Sequence, residues 1–151
     1  MRRGIAVAAF MALSPLFGVV ADPPAASREF RGKVVPLASL LAKQGIKLDA
    51  DAASSSMALA SDDGRIYPLV KDAGSRMFFQ DAKLLNRPMV LSGQLAKGSE
   101  LLQVVTVRSV KDGKLHDVYY WCDICTIKTF EAGPCDCCGA PMELRETPVK
   151  P

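Results

Sequence analysis

Histidine is nearly absent from this sequence, and cysteine does not occur before residue 122. The one histidine is His116, and all five cysteines lie between residues 122 and 138. A framework of disulfides that joins distant parts of the chain is therefore excluded, because these cysteines can link only one short segment to itself. A covalently attached haem of the usual kind is also excluded, since neither Cys-x-x-Cys pair is followed by histidine.

Recognisable catalytic motifs are missing as well. The sequence has no Gly-x-Ser-x-Gly nucleophile elbow, no glycine-rich phosphate-binding loop and no histidine-based metalloprotease motif. His116 lies on a predicted strand, where we expect an exposed residue rather than a metal ligand. These absences predict that the protein is not an enzyme.

Neither sign of charge is in clear excess. The sequence has 19 Lys and Arg residues against 16 Asp and Glu residues, and loss of Arg2 and Arg3 with an N-terminal leader would leave the two signs nearly balanced. Basic and acidic residues are also interleaved along the whole chain. A nucleic-acid-binding protein normally carries a basic stripe or patch, so the charge pattern argues against a nucleic-acid partner.

Long hydrophobic runs are confined to the N terminus. An apolar run at 5–20 follows two arginines and ends at small residues before Asp22, which predicts a secretory signal peptide at 1–21 and an exported protein, periplasmic or extracellular. The run is shorter than the roughly 20 residues that span a bilayer comfortably, and an uncleaved anchor is the alternative. No other segment predicts a membrane span after signal cleavage.

Two Cys-x-x-Cys pairs form the strongest motif in the sequence. Cys122 pairs with Cys125, and Cys135 pairs with Cys138. Each pair directs two sulfurs toward one point, and four thiolates about 2.3 Å from an ion form the tetrahedral shell that zinc prefers. The spacing therefore predicts a structural zinc site with these four ligands. Local disulfides or a redox pair are the alternative, because exported compartments are oxidising.

Over residues 119–146 this pattern resembles the zinc-ribbon family, in which glycine and proline follow the second pair as Gly139 and Pro141 do here. The chain departs from the common form in having Cys137 inside the second spacer and Thr126 after the first pair. We expect Cys137 to be a tolerated spacer residue, or else a reactive thiol or an exchanging ligand. A ribbon of this size is expected to be unfolded without its metal.

Patterns typical of β-strands dominate the rest of the chain. A strand is followed by a short helical pattern, an Asp-Gly turn then joins two strands, and an amphipathic helix is predicted at 75–85 before strands resume. The predicted strands are 31–37, 55–61, 65–70, 89–95, 101–107 and 115–121.

A short helix between the third and fourth strands of a five-strand set is characteristic of the OB barrel, and the chain resembles an OB-fold domain. The resemblance rests on this order, on segment 31–35, on the hairpin at 59–69 and on segment 87–95. It implies a small five-stranded barrel that contacts oligosaccharides or peptides on the face around its second and third strands. Arg65 and Tyr67, on the proposed third strand, are the candidates for that face.

The sequence as a whole predicts a mainly β fold, an OB-like barrel carrying a zinc-ribbon hairpin with no flexible linker at the junction. The predicted segments are a signal peptide at 1–21, a flexible lead-in at 22–29, an OB-like β-barrel domain at 30–118, a zinc ribbon at 119–146 and a tail at 147–151.

The expected function is that of an exported, non-enzymatic zinc-binding protein that acts as a binding or assembly module for a protein, peptide or glycan. The first alternative is an envelope protein that handles metal or carries out redox chemistry through its Cys-x-x-Cys pairs. The second is single-strand nucleic-acid binding through the barrel.

Overall fold

The computed structural model describes residues 27–150, apart from the side chain of Ser54. The predicted signal peptide at 1–21 and most of the predicted lead-in lie outside the described residues. Within 27–150, no helix has the length and apolar character needed to cross a membrane.

Strands make up most of the regular structure, with a few short helices between them. The strands are β1 (Arg28–Pro36), β2 (Met57–Ser61), β3 (Ile66–Pro68), β4 (Pro88–Leu95), β5 (Leu102–Lys111), β6 (Lys114–Cys122), β7 (Ile127–Thr129) and β8 (Glu143–Pro148). The helices are α1 (Leu37–Ala42), α2 (Ala50–Ser55) and α3 (Met77–Gln80), and a 3-10 turn follows at Ala82–Leu84.

All of these strands belong to one antiparallel sheet in the order β3-β2-β1-β4-β5-β6-β7, and β8 pairs with β6. The start of β6 pairs with β5 and its end pairs with β7, while β8 runs along 116–121 of the same strand. A residue can pair on two sides only, so β5 and β7 lie on one side of β6 and β8 lies on the other.

The prediction of a closed five-stranded barrel is wrong, because the sheet is open and has eight strands among the described residues. Between the end of β3 and the start of β5 there is one isolated parallel bridge, from Leu69 to Leu102, beside a hydrogen bond from the Val70 amide to the Leu102 carbonyl at 2.9 Å. β3 is three residues long and ends at Pro68, which has no amide to donate, so it cannot extend this bridge into a ladder.

One hydrophobic cluster joins the strands to the helical segment at 77–84. In β1 the buried residues alternate with exposed charges, since Phe30 and Val34 are buried while Arg31 and Lys33 are exposed. This alternation is what a half-buried strand requires. The fully buried side chains include Leu59, Met77, Phe78, Leu84, Met89, Leu91, Leu102, Val107 and Val118.

The helix predicted at 75–85 is divided at Asp81, which adopts an extended conformation between α3 and the 3-10 turn. The Asp81 carboxylate accepts hydrogen bonds from the Lys83 amide at 2.9 Å and from the Tyr120 hydroxyl at 2.7 Å. Asp81 thus caps the turn and connects it to β6, which a continuous helix would not allow.

The loop after β7 lies against α3. Glu131 pairs with Arg76 at 2.8 Å, and the Ala132 amide donates to the Gln80 side chain at 3.0 Å. Phe130 packs against the edge of the hydrophobic cluster. These contacts place the second cysteine pair near the end of β6.

Candidate metal centre

Two turns and a strand end supply the cysteines. Cys122 is the last residue of β6, and Cys125 lies in the turn that leads to β7. Cys135 and Cys138 lie in the loop between β7 and β8, where the Cys135 amide donates to the Ala140 carbonyl at 2.7 Å. The two Cys-x-x-Cys pairs therefore face each other across the end of the sheet.

The sulfur atoms of Cys122, Cys125, Cys135 and Cys138 all lie within 4.8 Å of one another. The Cys122 and Cys138 sulfurs are 3.6 Å apart, and sulfurs at the corners of a zinc tetrahedron would be about 3.8 Å apart for a metal–sulfur bond of 2.3 Å. All five cysteines of the chain are free thiols, and Cys137 is not part of this group. These four cysteines can hold a metal ion.

The two cysteine turns have the same backbone hydrogen bond. The Thr126 amide donates to the Cys122 carbonyl at 2.8 Å, and the Gly139 amide donates to the Cys135 carbonyl at 2.8 Å. Both donors have left-handed backbone angles, with φ of 56° at Thr126 and 73° at Gly139. Thr126 therefore adopts a conformation that costs a non-glycine residue about 1–2 kcal/mol.

Backbone amides also donate hydrogen bonds to the buried sulfurs and change the pKa values of their thiols. The Cys125 amide donates to the Cys122 sulfur at 3.4 Å. The amides of Cys138 and Cys137 lower the pKa of Cys135 to about 7. At Cys122 the same effect of the Cys125 amide is outweighed by burial and by the thiols of Cys135 and Cys138, so that its pKa is raised. Crowded thiols resist ionising together unless a cation is shared between them.

The cluster is closed on one side and open on the other. Cys122 and Cys135 are buried, Cys125 is half-buried, and Cys137 and Cys138 are exposed. The Cys137 thiol interacts with that of Cys125 and is the largest cause that raises the pKa of Cys125. The side of the cluster that contains these three cysteines therefore faces solvent.

Asp123, in the first spacer, is held by two partners rather than simply solvated. Its Oδ1 accepts from the Arg145 guanidinium of β8 at 2.5 Å and from the Trp121 indole at 3.1 Å. Arg145 also lies over the Trp121 ring, 5.4 Å from its centroid. Asp123 and Asp136, at the same position of the second turn, are both exposed. Sequence spacing could not find the Asp123 contacts, because they depend on the pairing of β6 with β8.

Apolar side chains around the cluster divide into two groups. Met142 and Leu144 pack against the hydrophobic cluster of the sheet, whereas Ile124 and Ile127 are exposed, Ile124 to 73%. A cleft of about 150 Å³ adjoins Cys135 and is lined in part by Ile127 and Met142.

The other singled-out residues lie away from the cysteines. Arg65 is exposed and Tyr67 is buried, and both line a groove of about 450 Å³ beside β1 and the β2–β3 turn. The Tyr67 ring packs edge-on against Phe30, with centroids 4.9 Å apart. His116 is half-buried in β6, with its Nδ1 3.2 Å from the Lys114 carbonyl.

Comparisons with known proteins give no match. No family model, no curated protein and no solved structure matches the chain. The geometry of the cysteine cluster is therefore the evidence for what it does.

Proposed function

We propose that the four-cysteine group binds one zinc ion as a structural site. The observation that carries this proposal is the mutual approach of the four sulfurs to within 4.8 Å. An all-thiolate tetrahedral set suits zinc, and it also suits iron, so the metal is to be identified by elemental analysis. Four protein ligands leave no open position for water or substrate, which supports a non-enzymatic role.

The proposed role is structural because one ion would join the end of β6 to the loop before β8. Cys122 ends β6, and Cys135 and Cys138 precede β8, so a shared ion closes the loop at 122–138 that contains β7. Binding of zinc to four thiolates contributes roughly 10–16 kcal/mol in small peptides at neutral pH. That is far more than the mostly exposed residues of this loop could gain by packing.

We further propose that β1 to β5 form an OB-like module. Two observations support this proposal: α3 lies between β3 and β4 along the chain, and β1 pairs with both β2 and β4. The module and the zinc site together would act in an exported binding or assembly protein. Export rests on the sequence at 1–21.

A peptide or glycan partner would bind in the groove that contains Arg65 and Tyr67. Arg28 lies over the Phe30 ring there, 5.4 Å from its centroid, beside the polar side chains of the β2–β3 turn. Such a mixture of aromatic, cationic and acidic groups suits neutral polar ligands and peptides better than a polyanion. The nearly balanced charge of the chain likewise argues against nucleic acid.

A thiol-based metal-handling or redox role in the cell envelope is the second candidate. The exposure of Cys137 and Cys138 favours it, because a structural site has no need of solvent-facing thiols. A handling site would release metal to a modest competitor, whereas a purely structural site would keep it until the loop unfolds.

Serine substitutions test the ligand assignment. Cys122→Ser, Cys125→Ser, Cys135→Ser and Cys138→Ser should each lose bound zinc, because three thiolates and a hydroxyl bind zinc much more weakly. Cys137→Ser is the matched control and should keep about one zinc per chain. Metal content is read by elemental mass spectrometry on folded protein, and equal losses in all five variants would contradict the assignment.

A further inference from the structure

A groove of about 590 Å³ lies between α1 and the strands β1 and β2. It is lined in part by Val35 and Ala60 of the strands and by Leu40 of α1. Val35 is buried but does not belong to the hydrophobic cluster, and its neighbour Val34 does, so Val35 faces the side of the sheet opposite the core. Sites for small molecules have volumes of roughly 300–1,000 Å³, and the volume of this groove lies within that range.

Two lysines line the same groove, Lys33 from β1 and Lys43 from the end of α1. Both are exposed, and neither takes part in an ion pair among residues 27–150. Lys33 pairs with Ala60 on one side and with Pro88 on the other, so the neighbouring strands place no carboxylate directly beside it. One acidic residue, Asp62, also lines the groove, and the lining carries a net positive charge.

α1 leaves apolar surface next to these cations. None of its six residues is buried, and Leu37, Leu40 and Leu41 are half-buried. The helix is held in place by the Leu37 amide, which donates to the Ser56 carbonyl at 2.9 Å. Leu40 therefore keeps a fixed position on the groove, across from the strand residues and close along the chain to Lys43. Apolar side chains beside unpaired ammonium groups match a ligand that has an apolar body and an anionic end.

We infer that this groove binds a single-chain amphiphilic anion, whose charged head lies between Lys33 and Lys43 and whose acyl chain packs against Val35, Leu40 and Ala60. The site is separate from those proposed above. No cysteine lines the groove, and it shares one lining residue, Asp62, with the groove that contains Arg65 and Tyr67.

Binding of dodecanoate tests the charged part of the site. Isothermal titration calorimetry measures its affinity for the full-length protein at concentrations below those at which it forms micelles. Lys33→Gln and Lys43→Gln should each weaken binding about fivefold, the upper end of what a solvent-exposed ion pair contributes. Lys128→Gln is the matched control, because Lys128 is an exposed strand lysine outside the groove, and it should bind as the wild type does.

The apolar part of the site is tested separately. Ala60→Leu places a larger side chain where the acyl chain would lie and should prevent binding, while its thermal unfolding shows whether the fold is kept. Dodecanol has the same chain without the charge, and it should bind the wild type about fivefold or more weakly than dodecanoate.

Four results would overturn the assignment. They are failure of the wild type to bind dodecanoate, equal weakening in Lys128→Gln, wild-type affinity in a folded Ala60→Leu variant, and dodecanol binding as tight as that of dodecanoate. A glutamate-rich peptide that binds more tightly than dodecanoate would assign the groove to acidic protein segments, which also overturns it.

Discussion

Asp123 and Asp136 occupy the same position in the two cysteine turns, yet their surroundings differ. Both residues are exposed, but Asp123 accepts hydrogen bonds from Arg145 and Trp121 across the pairing of β6 with β8. Groups that hold the residues around a metal ligand affect metal affinity although they do not bind the ion. We therefore expect the Asp123 contacts to support the first turn, which contains Cys122 and Cys125, against β8.

Replacing Asp123 should weaken metal binding. Asp123→Asn removes the charge that pairs with Arg145, and we expect zinc affinity to fall by about tenfold, the lower end of what such supporting residues contribute. Competition with a chelator of known affinity measures the change. Asp136→Asn removes the same charge at the same position of the second turn and should leave affinity unchanged, so equal effects of the two variants would contradict this role.

Glu146, in β8, is a carboxylate with three polar partners from other parts of the chain. It accepts hydrogen bonds from Ser109 at 2.5 Å and from Arg87 at 2.8 Å, and Lys111 lies 3.0 Å away. Burial by itself raises the pKa of Glu146, but hydrogen bonds from Ser109, Arg87 and Lys111 outweigh it and lower the pKa from 4.5 to about 2. Glu146 thus connects β8 to β5 and to Arg87, the residue before β4.

Stability should depend on the ionisation of Glu146. Because the pKa is lowered in the folded state, its contribution is complete above pH 4.5 and is lost as the pH falls toward about 2. Glu146→Gln should lower the free energy of unfolding by about 1–3 kcal/mol at neutral pH, with a smaller difference from wild type in acid. Urea unfolding at several pH values measures this. Glu143→Gln, exposed on the same strand, is the control, and a pH-independent difference would contradict the argument.

Sequence reasoning identifies single residues when their role depends on local spacing. The cysteine pairs and the turn at Gly139 follow from neighbours within four positions. The partners of Asp123 and Glu146 cannot be predicted in this way, because Arg145 and Arg87 reach them only after β8 has paired with β6. The burial of Tyr67 against Phe30 has the same origin, since β1 and β3 meet through β2.

At the scale of elements, a turn with a characteristic local sequence can be predicted directly. The Asp-Gly sequence at 63–64 predicts the hairpin between β2 and β3 and lies in the turn that joins them. The sequence does not predict α2, because Ala and Ser predominate in its six residues and give no helical pattern of apolar residues. β7 is three residues long and has no strand pattern of its own, so its pairing with β6 depends on tertiary structure.

Removal of the metal should affect the elements unequally. The segment at 122–142 contains the ligands and β7, so a chelator should speed its amide hydrogen exchange toward that of an unfolded chain. β1 and β4 pair with each other and contribute buried residues to the core, and they should stay protected. Hydrogen exchange with mass spectrometry compares the two states. Uniform loss of protection in all three regions would show that the sheet depends on the ion.

At the scale of the whole molecule, the sheet is open, whereas the sequence predicts a closed barrel. The start of β6 pairs with β5, and the rest of β6 pairs with β7 and β8. The last three strands therefore extend the sheet beyond β5. Patterning cannot distinguish a closed barrel from an open sheet, because both have strands with one buried face. Here the sheet is open because the end of β3 meets the start of β5 in one isolated bridge rather than in a ladder.

The cysteine cluster, the Asp123 contacts and the Glu146 ion pairs all act on the strands after β5. In this account, zinc holds the end of β6 to the loop before β8, and Glu146 holds β8 to β5. We therefore propose that a metal and ion pairs stabilise the C-terminal part of the molecule in addition to the packing of Val118, Tyr120 and Leu144 in or against the hydrophobic cluster.

The measurement that tests this account most directly is the metal content of the full-length protein purified without added metal, combined with a count of titratable thiols before and after denaturation. The account predicts about one zinc per chain, with Cys137 the single thiol that reacts readily in the folded protein and all five reacting after denaturation with a chelator. Protein without zinc whose cysteines are oxidised, or protein that holds iron in its place, would contradict it.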